Sequence, residues 1–153
     1  MASITEVARR AEAFGMRVVH HRRSDGLPLD ELLGGADVVS LHVPLTPETD
    51  GLISRERLAL LRDGAALVNT ARGAIVDEDA LVDELVSGRI SAGLDVFAEE
   101  PRVPERLLDR PNVVLTPHIA SATVETREAM TRVLVDNVLA FRGGERFRRR
   151  EEA

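Results

Sequence analysis

Histidine, arginine and glutamate recur in this 153-residue sequence immediately after short, β-branched apolar runs. MRVVHH leads into Arg22, Arg23 and Ser24, and AALVN into Thr70, Ala71, Arg72 and Gly73. The run from Ala92 is followed by Asp95 and then Glu99-Glu100-Pro101, and VVL by Thr116, Pro117, His118, Ile119, Ala120 and Ser121. In parallel α/β sheets the chemistry gathers at the carboxyl ends of the strands. A cationic fork, a carboxylate pair and a histidine are therefore expected to meet at one edge. A histidine can exchange a proton near neutral pH, and a carboxylate partner favours its charged form. The planar fork of Arg72 matches a substrate carboxylate. Each residue also has an ordinary reading: His118 as a loop histidine, Arg72 in a surface ion pair, Glu100 as a solvated loop residue with Glu99 the more solvated of the two. Because His118 follows Pro117 directly, its backbone is expected to be extended.

Arg22 and Arg23 fall where a dinucleotide-binding domain meets the adenosine ribose. An acidic residue there would bind the ribose 2′-hydroxyl, whereas arginine accommodates a 2′-phosphate; ordinary loop charge is the other reading. His20 and His21 are adjacent, so on a strand they face opposite ways and cannot share a metal ion. No metal site is expected. The chain has no cysteine and all twenty of its basic residues are arginine, which excludes disulfides, thiolate catalysis, Schiff-base amines and a phosphate-loop lysine. The net charge of -6 argues against a nucleic-acid binder, which needs a basic face. Arg146, Arg148, Arg149 and Arg150, beside Glu151 and Glu152, read as a solvated tail. No apolar run approaches a membrane span and the N-terminus lacks a signal-peptide core, so a cytoplasmic setting is expected.

The elements that must carry these residues alternate between apolar runs and amphipathic stretches. Strands are expected at 16–21, 37–43, 65–69, 92–96 and 113–115, with the second of them covered on both faces. Helices are expected at 4–14, 29–33, 54–61, 77–87 and 123–141, the first with Ile4, Val7, Ala8, Ala11 and Phe14 on one stripe and Ser3 as its cap. This rhythm predicts an α/β fold with a parallel, doubly wound, Rossmann-like sheet over residues 1–142 and a polar tail at 143–153.

LHVPLTPETDGLI, LVNTARGAIVDEDALVDEL, AGLDVFAEEP and NVVLTPHIASATVETREAM closely resemble signature blocks of the D-2-hydroxyacid dehydrogenases, in family order from Val7 to Phe141. The resemblance implies an oxidoreductase that moves a hydride between NAD(P)H and a small 2-oxo acid, similar to glyoxylate or hydroxypyruvate reductases. It implies that Arg72 anchors the substrate, that His118 protonates the carbonyl oxygen, and that Glu100 orients His118. Asp95 would meet the nicotinamide carboxamide. Pro44, Thr70, Ala71 and the stretch from His118 through Ala120 and Ser121 would line the nicotinamide pocket. Arg22, Arg23 and Ser24 favour NADP over NAD. Relatives used as corepressors leave a second expectation open, a truncated or split non-catalytic module that acts through protein partners.

The chain also departs from the family pattern. Before Ile4 there is no strand leading to a G-x-G-x-x-G turn, Ala2 stands where the second glycine falls, and Thr5 near the third. The Rossmann-like sheet is thus expected to be incomplete, lacking its first strand and the glycine-rich grip on the pyrophosphate. An unpaired neighbour strand predicts marginal stability, and either a homodimer or a second chain that supplies the strand and the substrate domain.

Overall fold

The apolar runs pair side by side in the order in which they occur in the chain. In the computed structural model, which describes residues 4–144, the elements are α1 (Ile4–Ala13), α2 (Leu29–Gly35), β1 (Val38–Leu41), α3 (Arg55–Leu60), β2 (Ala66–Asn69), α4 (Glu78–Ser87), β3 (Ser91–Leu94), β4 (Val113–Leu115) and α5 (Val124–Arg142). Short 3-10 turns lie at Gly73–Ile75 and Glu105–Leu107. The sheet has four strands in the order β1-β2-β3-β4, all parallel, with Val39, Leu67, Ala92 and Val113 in register. Parallel neighbours require crossovers, and α3 and α4 supply the first two.

Local chemistry sets the helix ends. The Ser54 hydroxyl accepts the Arg57 N–H at the start of α3, and the Asp77 carboxylate accepts the Ala80 N–H at the start of α4. Gly88, in the left-handed conformation, closes α4. Arg89 then locks the layer together: its guanidinium donates to the Leu58 and Leu61 carbonyls at the end of α3 and pairs with Glu84 of α4 at 2.6 Å. The hydrogen bond to Glu84 raises its pKa further. The core beneath is aliphatic, with Ile53, Leu58, Leu67, Ile75, Leu85 and Ile90 fully buried.

The fold class is the one expected, an α/β sheet of Rossmann-like type. Three details of the sequence reading are corrected. The expected strand at 16–21 forms no ladder; its contact is an isolated antiparallel bridge between His21 and Gly26. A strand exists only through its neighbour, and no strand among the described residues lies beside it. The expectation that 37–43 is covered on both faces also fails, because Val39 and Leu41 are buried while Val38 and Ser40 are exposed. Apolar content licensed burial of both faces, but among the described residues only one face of this strand is fully covered. Finally, Ile4, Val7, Ala8 and Ala11 of the expected stripe on α1 are half-buried, but Phe14 lies beyond the helix and is 87 % exposed.

The described chain divides after His118 into two units. The second carries α5, whose start is capped by the Thr123 side chain on the Thr126 N–H, with Gly143 at its end. No residue of α5 is buried. The cap expected at Ser3, the altered turn at Ala2 and the basic tail from Arg146 to Arg150 lie outside the described residues. Among the described residues, no helix is long and apolar enough to cross a membrane.

Candidate active site

Three loops leave the carboxyl ends of β2, β3 and β4 and bring the expected reactive residues together in the first unit. After β2 the chain must turn sharply, and Asn69 makes the turn. Its side chain is 2 % exposed, its Oδ1 accepts the Ala71 N–H at 3.0 Å, and its Nδ2 donates to the Arg72 carbonyl at 2.9 Å. Ala71 is buried and Arg72 exposed as a result. Gly73 is required here. A Cβ at this position would overlap the Phe97 carbonyl and the Ala98 nitrogen, so the Arg72–Gly73 segment lies directly against the loop that follows β3.

That loop carries two carboxylates with different environments. Asp95 is 4 % exposed, receives the Thr116 hydroxyl on Oδ1, and donates its own N–H to the Asn69 carbonyl. Glu100 is partly exposed and uses both oxygens. Oε1 accepts the Phe97 N–H at 3.2 Å, and Oε2 meets His118 Nδ1 at 2.7 Å. The His118 hydrogen bond holds the Glu100 carboxyl below its ordinary pKa, helped by the Phe97 N–H and by the nearby charges of His118 and Arg72. The Arg72 guanidinium itself donates to the Ala71 carbonyl.

His118 is not extended, contrary to the expectation from Pro117. Its φ is +51°, and its N–H reaches back to the Thr116 carbonyl at 3.1 Å. A proline restrains the residue before it rather than the one after, so the inference ran in the wrong direction. A left-handed non-glycine residue costs about 1–2 kcal/mol. The fold accepts this strain at the residue whose ring faces Glu100, as is common at functional sites.

The other expected residues lie elsewhere. Arg22, Arg23 and Ser24 form the exposed tip of a tight hairpin, closed by Arg22 N–H to the Asp25 carbonyl and Leu27 N–H to the His20 carbonyl, each 2.9 Å. Gly26, at φ +91°, makes it possible, since a Cβ there would overlap the His20 carbonyl. The hairpin also carries an acid that the sequence reading did not weigh. Asp25 pairs with His20 at 3.1 Å and accepts the Ser24 hydroxyl, and the His20 bond lowers its pKa. Pro44 is exposed and its carbonyl accepts the Thr49 hydroxyl, while Thr70 is half-buried. Ala120 and Ser121 belong to the second unit.

Sequence reasoning missed His42 just beyond β1. Its Nε2 lies 2.8 Å from the Ser40 hydroxyl, its Nδ1 is buried with no hydrogen-bond partner among the described residues, and burial lowers its pKa. A strand-end histidine two residues after a serine was the available signal. Toward a nicotinamide dinucleotide these residues offer a buried carboxylate, Asp95, and, on the separate hairpin, the exposed guanidinium groups of Arg22 and Arg23.

Residues 4–120 match the family described as D-isomer specific 2-hydroxyacid dehydrogenase, NAD binding domain. A glyoxylate reductase of Thermococcus onnurineus is 48 % identical over 151 residues, covering 91 % of this chain and 45 % of the relative. The TT0316 protein of Thermus thermophilus superposes with a TM-score of 0.88 at 52 % identity, over 94 % of this chain and 48 % of that one. An NADPH-dependent glyoxylate/hydroxypyruvate reductase from Sinorhizobium meliloti, solved with NADP and malonate, gives a TM-score of 0.84 at 41 % identity, over 97 % of this chain and 52 % of that one. The chain thus spans about half the length of the relatives it matches.

Proposed function

The chain belongs to the D-isomer specific 2-hydroxyacid dehydrogenase family, and we propose that it provides the nicotinamide-binding half of a reductase for a small 2-oxo acid of the glyoxylate or hydroxypyruvate type. The observation that carries this reading is the 2.7 Å contact between His118 Nδ1 and Glu100 Oε2. An ionised carboxylate can only accept, so Glu100 keeps a proton on Nδ1 and leaves the exchangeable proton on Nε2. His118 then acts as general acid toward the carbonyl oxygen in reduction and as general base in the reverse direction. Arg72 grips the substrate carboxylate and sets the orientation of the carbonyl. A bound nicotinamide cofactor supplies the hydride. Asp95, held in place by Thr116, would accept from its carboxamide. Thr70, Ala71 and Pro44, together with Ala120 and Ser121 directly after His118 in the chain, complete the set that the family resemblance assigns.

Arg22, Arg23 and Ser24 favour NADPH, since their exposed tip offers donors for a 2′-phosphate. Calorimetric titration with NADPH and NADH tests this. Tighter NADPH binding, weakened in Arg22→Ala, supports the preference, and equal binding of both cofactors rules it out. The reaction is tested by assaying the chain with glyoxylate and hydroxypyruvate. In His118→Ala the turnover is expected to fall about 10²–10⁴-fold with cofactor affinity retained; unchanged turnover removes His118 from the mechanism.

The proposed partner is either a second copy or a chain that supplies the strand and substrate domain. β1 is an edge strand, and the Asp37 carbonyl bonds to Ala66 of β2. Alternation along the strand therefore turns the amides of Val38 and Ser40 to the open edge, where another strand can pair.

A further inference from the structure

The turn that presents Glu100 is anchored from a helix which the chemistry above does not use. Glu78, in the first turn of α4, accepts the Ala98 N–H on Oε1 at 2.9 Å, across twenty residues of sequence. It is not needed as a cap, because Asp77 already caps that helix through Ala80. The helix itself is a firm base, with Ala80, Leu81, Val82 and Leu85 buried. The Phe97–Ala98 peptide is thus held by Glu78 through its N–H and by the close approach of Gly73, while the neighbouring Phe97 N–H is taken by Glu100 Oε1. Remove the Glu78 acceptor and the Ala98 amide turns to water, since Ala98 is exposed. The turn then loses its tie to α4.

We propose that Glu78 is a positioning residue which, through the Ala98 amide, keeps the Glu100 carboxylate within hydrogen-bond reach of His118. The consequence for turnover rests on the function proposed above; the positioning itself does not.

The test uses the full chain and follows the Glu100 carboxyl by carbon-detected NMR titration, assigned with Glu100→Gln. In the wild type the His118 bond holds this carboxyl below its ordinary pKa. In Glu78→Ala the titration is expected to move up toward the ordinary carboxylate range as that bond loosens, and Ala98 amide exchange is expected to quicken. Loss of a neighbouring negative charge alone would move the titration down, so the two causes have opposite signs. Glu78→Gln keeps an acceptor oxygen and is expected to restore both readouts. Glu78→Asp keeps the charge but is one methylene short, so it is expected to behave like Glu78→Ala and carries the test if the alanine variant fails to fold. Asp79→Ala, which removes an exposed charge from the same turn, is expected to produce no upward shift. A Glu100 titration that is unchanged or lowered in the alanine and aspartate variants overturns the proposal. In an active chain, Glu78→Ala lowers kcat about tenfold with KM for the 2-oxo acid held. If Glu100 shifts upward but even the wild type reduces no 2-oxo acid, the positioning stands and the proposed function falls.

Discussion

At the scale of single residues, two carboxylates of one loop stand in different surroundings. Asp95 is buried against Thr116, whereas Glu100 stands at the surface with His118 on one oxygen and the Phe97 amide on the other. Because the folded state lowers the Glu100 pKa, its stabilising contribution is complete above the ordinary carboxylate range. That contribution is lost as pH falls through the lowered value. Glu100→Gln should therefore be less stable than the wild type at neutral pH, and the two should converge in acid; urea unfolding at stepped pH checks this. A gap that persists at the lowest pH would mean that the carboxylate charge is not what stabilises. His118 as a candidate proton carrier was readable from residue type. Its left-handed backbone was not, because that depends on the turn from Thr116 and not on the neighbouring proline alone.

At the scale of elements, the loops matter more than the strands they leave. Gly73 is a contact residue by virtue of having no side chain: Gly73→Ala would force the Arg72 turn and the Phe97–Ala98 peptide apart. A loss of about 1–3 kcal/mol is expected, typical of overpacking, together with weakened substrate binding as Arg72 shifts. Thermal unfolding and KM measure the two effects, and an unaffected midpoint would show that the loops yield easily. Gly26→Ala tests the hairpin in the same way. There the strain falls on the Arg22–Arg23 tip, so NADPH affinity should drop while reactivity at His118 persists. The helix limits were legible from caps such as Ser54, Asp77 and Gly88. The 16–21 run was not, since β-branched residues state a preference for a strand but not the presence of a partner.

At the scale of the whole molecule, the sheet leaves a strand edge and one of its faces open among the described residues. Val38 is 46 % exposed, and Val114, on β4, is 67 % exposed. Analytical ultracentrifugation of the isolated chain should show concentration-dependent association. Val38→Lys, which places a charge on the edge strand, should shift it toward monomer. A monodisperse wild-type monomer would rule out pairing through this edge. The chain matches about half the length of its relatives, and β1 is the outer strand of the four described.

The sequence by itself determined the family, the parallel α/β class and the residue types at the strand ends. Side-chain chemistry and apolar periodicity are local properties, written directly in NTARG, AEEP and TPHIAS. Tertiary structure alone decided which of these residues touch. It set Glu100 against His118, laid the Arg72–Gly73 turn against the Phe97–Ala98 peptide, and gave Asp25 to His20 in the arginine hairpin. The reason is that a hydrogen bond between loops from different strands depends on sheet register and on the close approach of two backbones. Neither is encoded by any one segment.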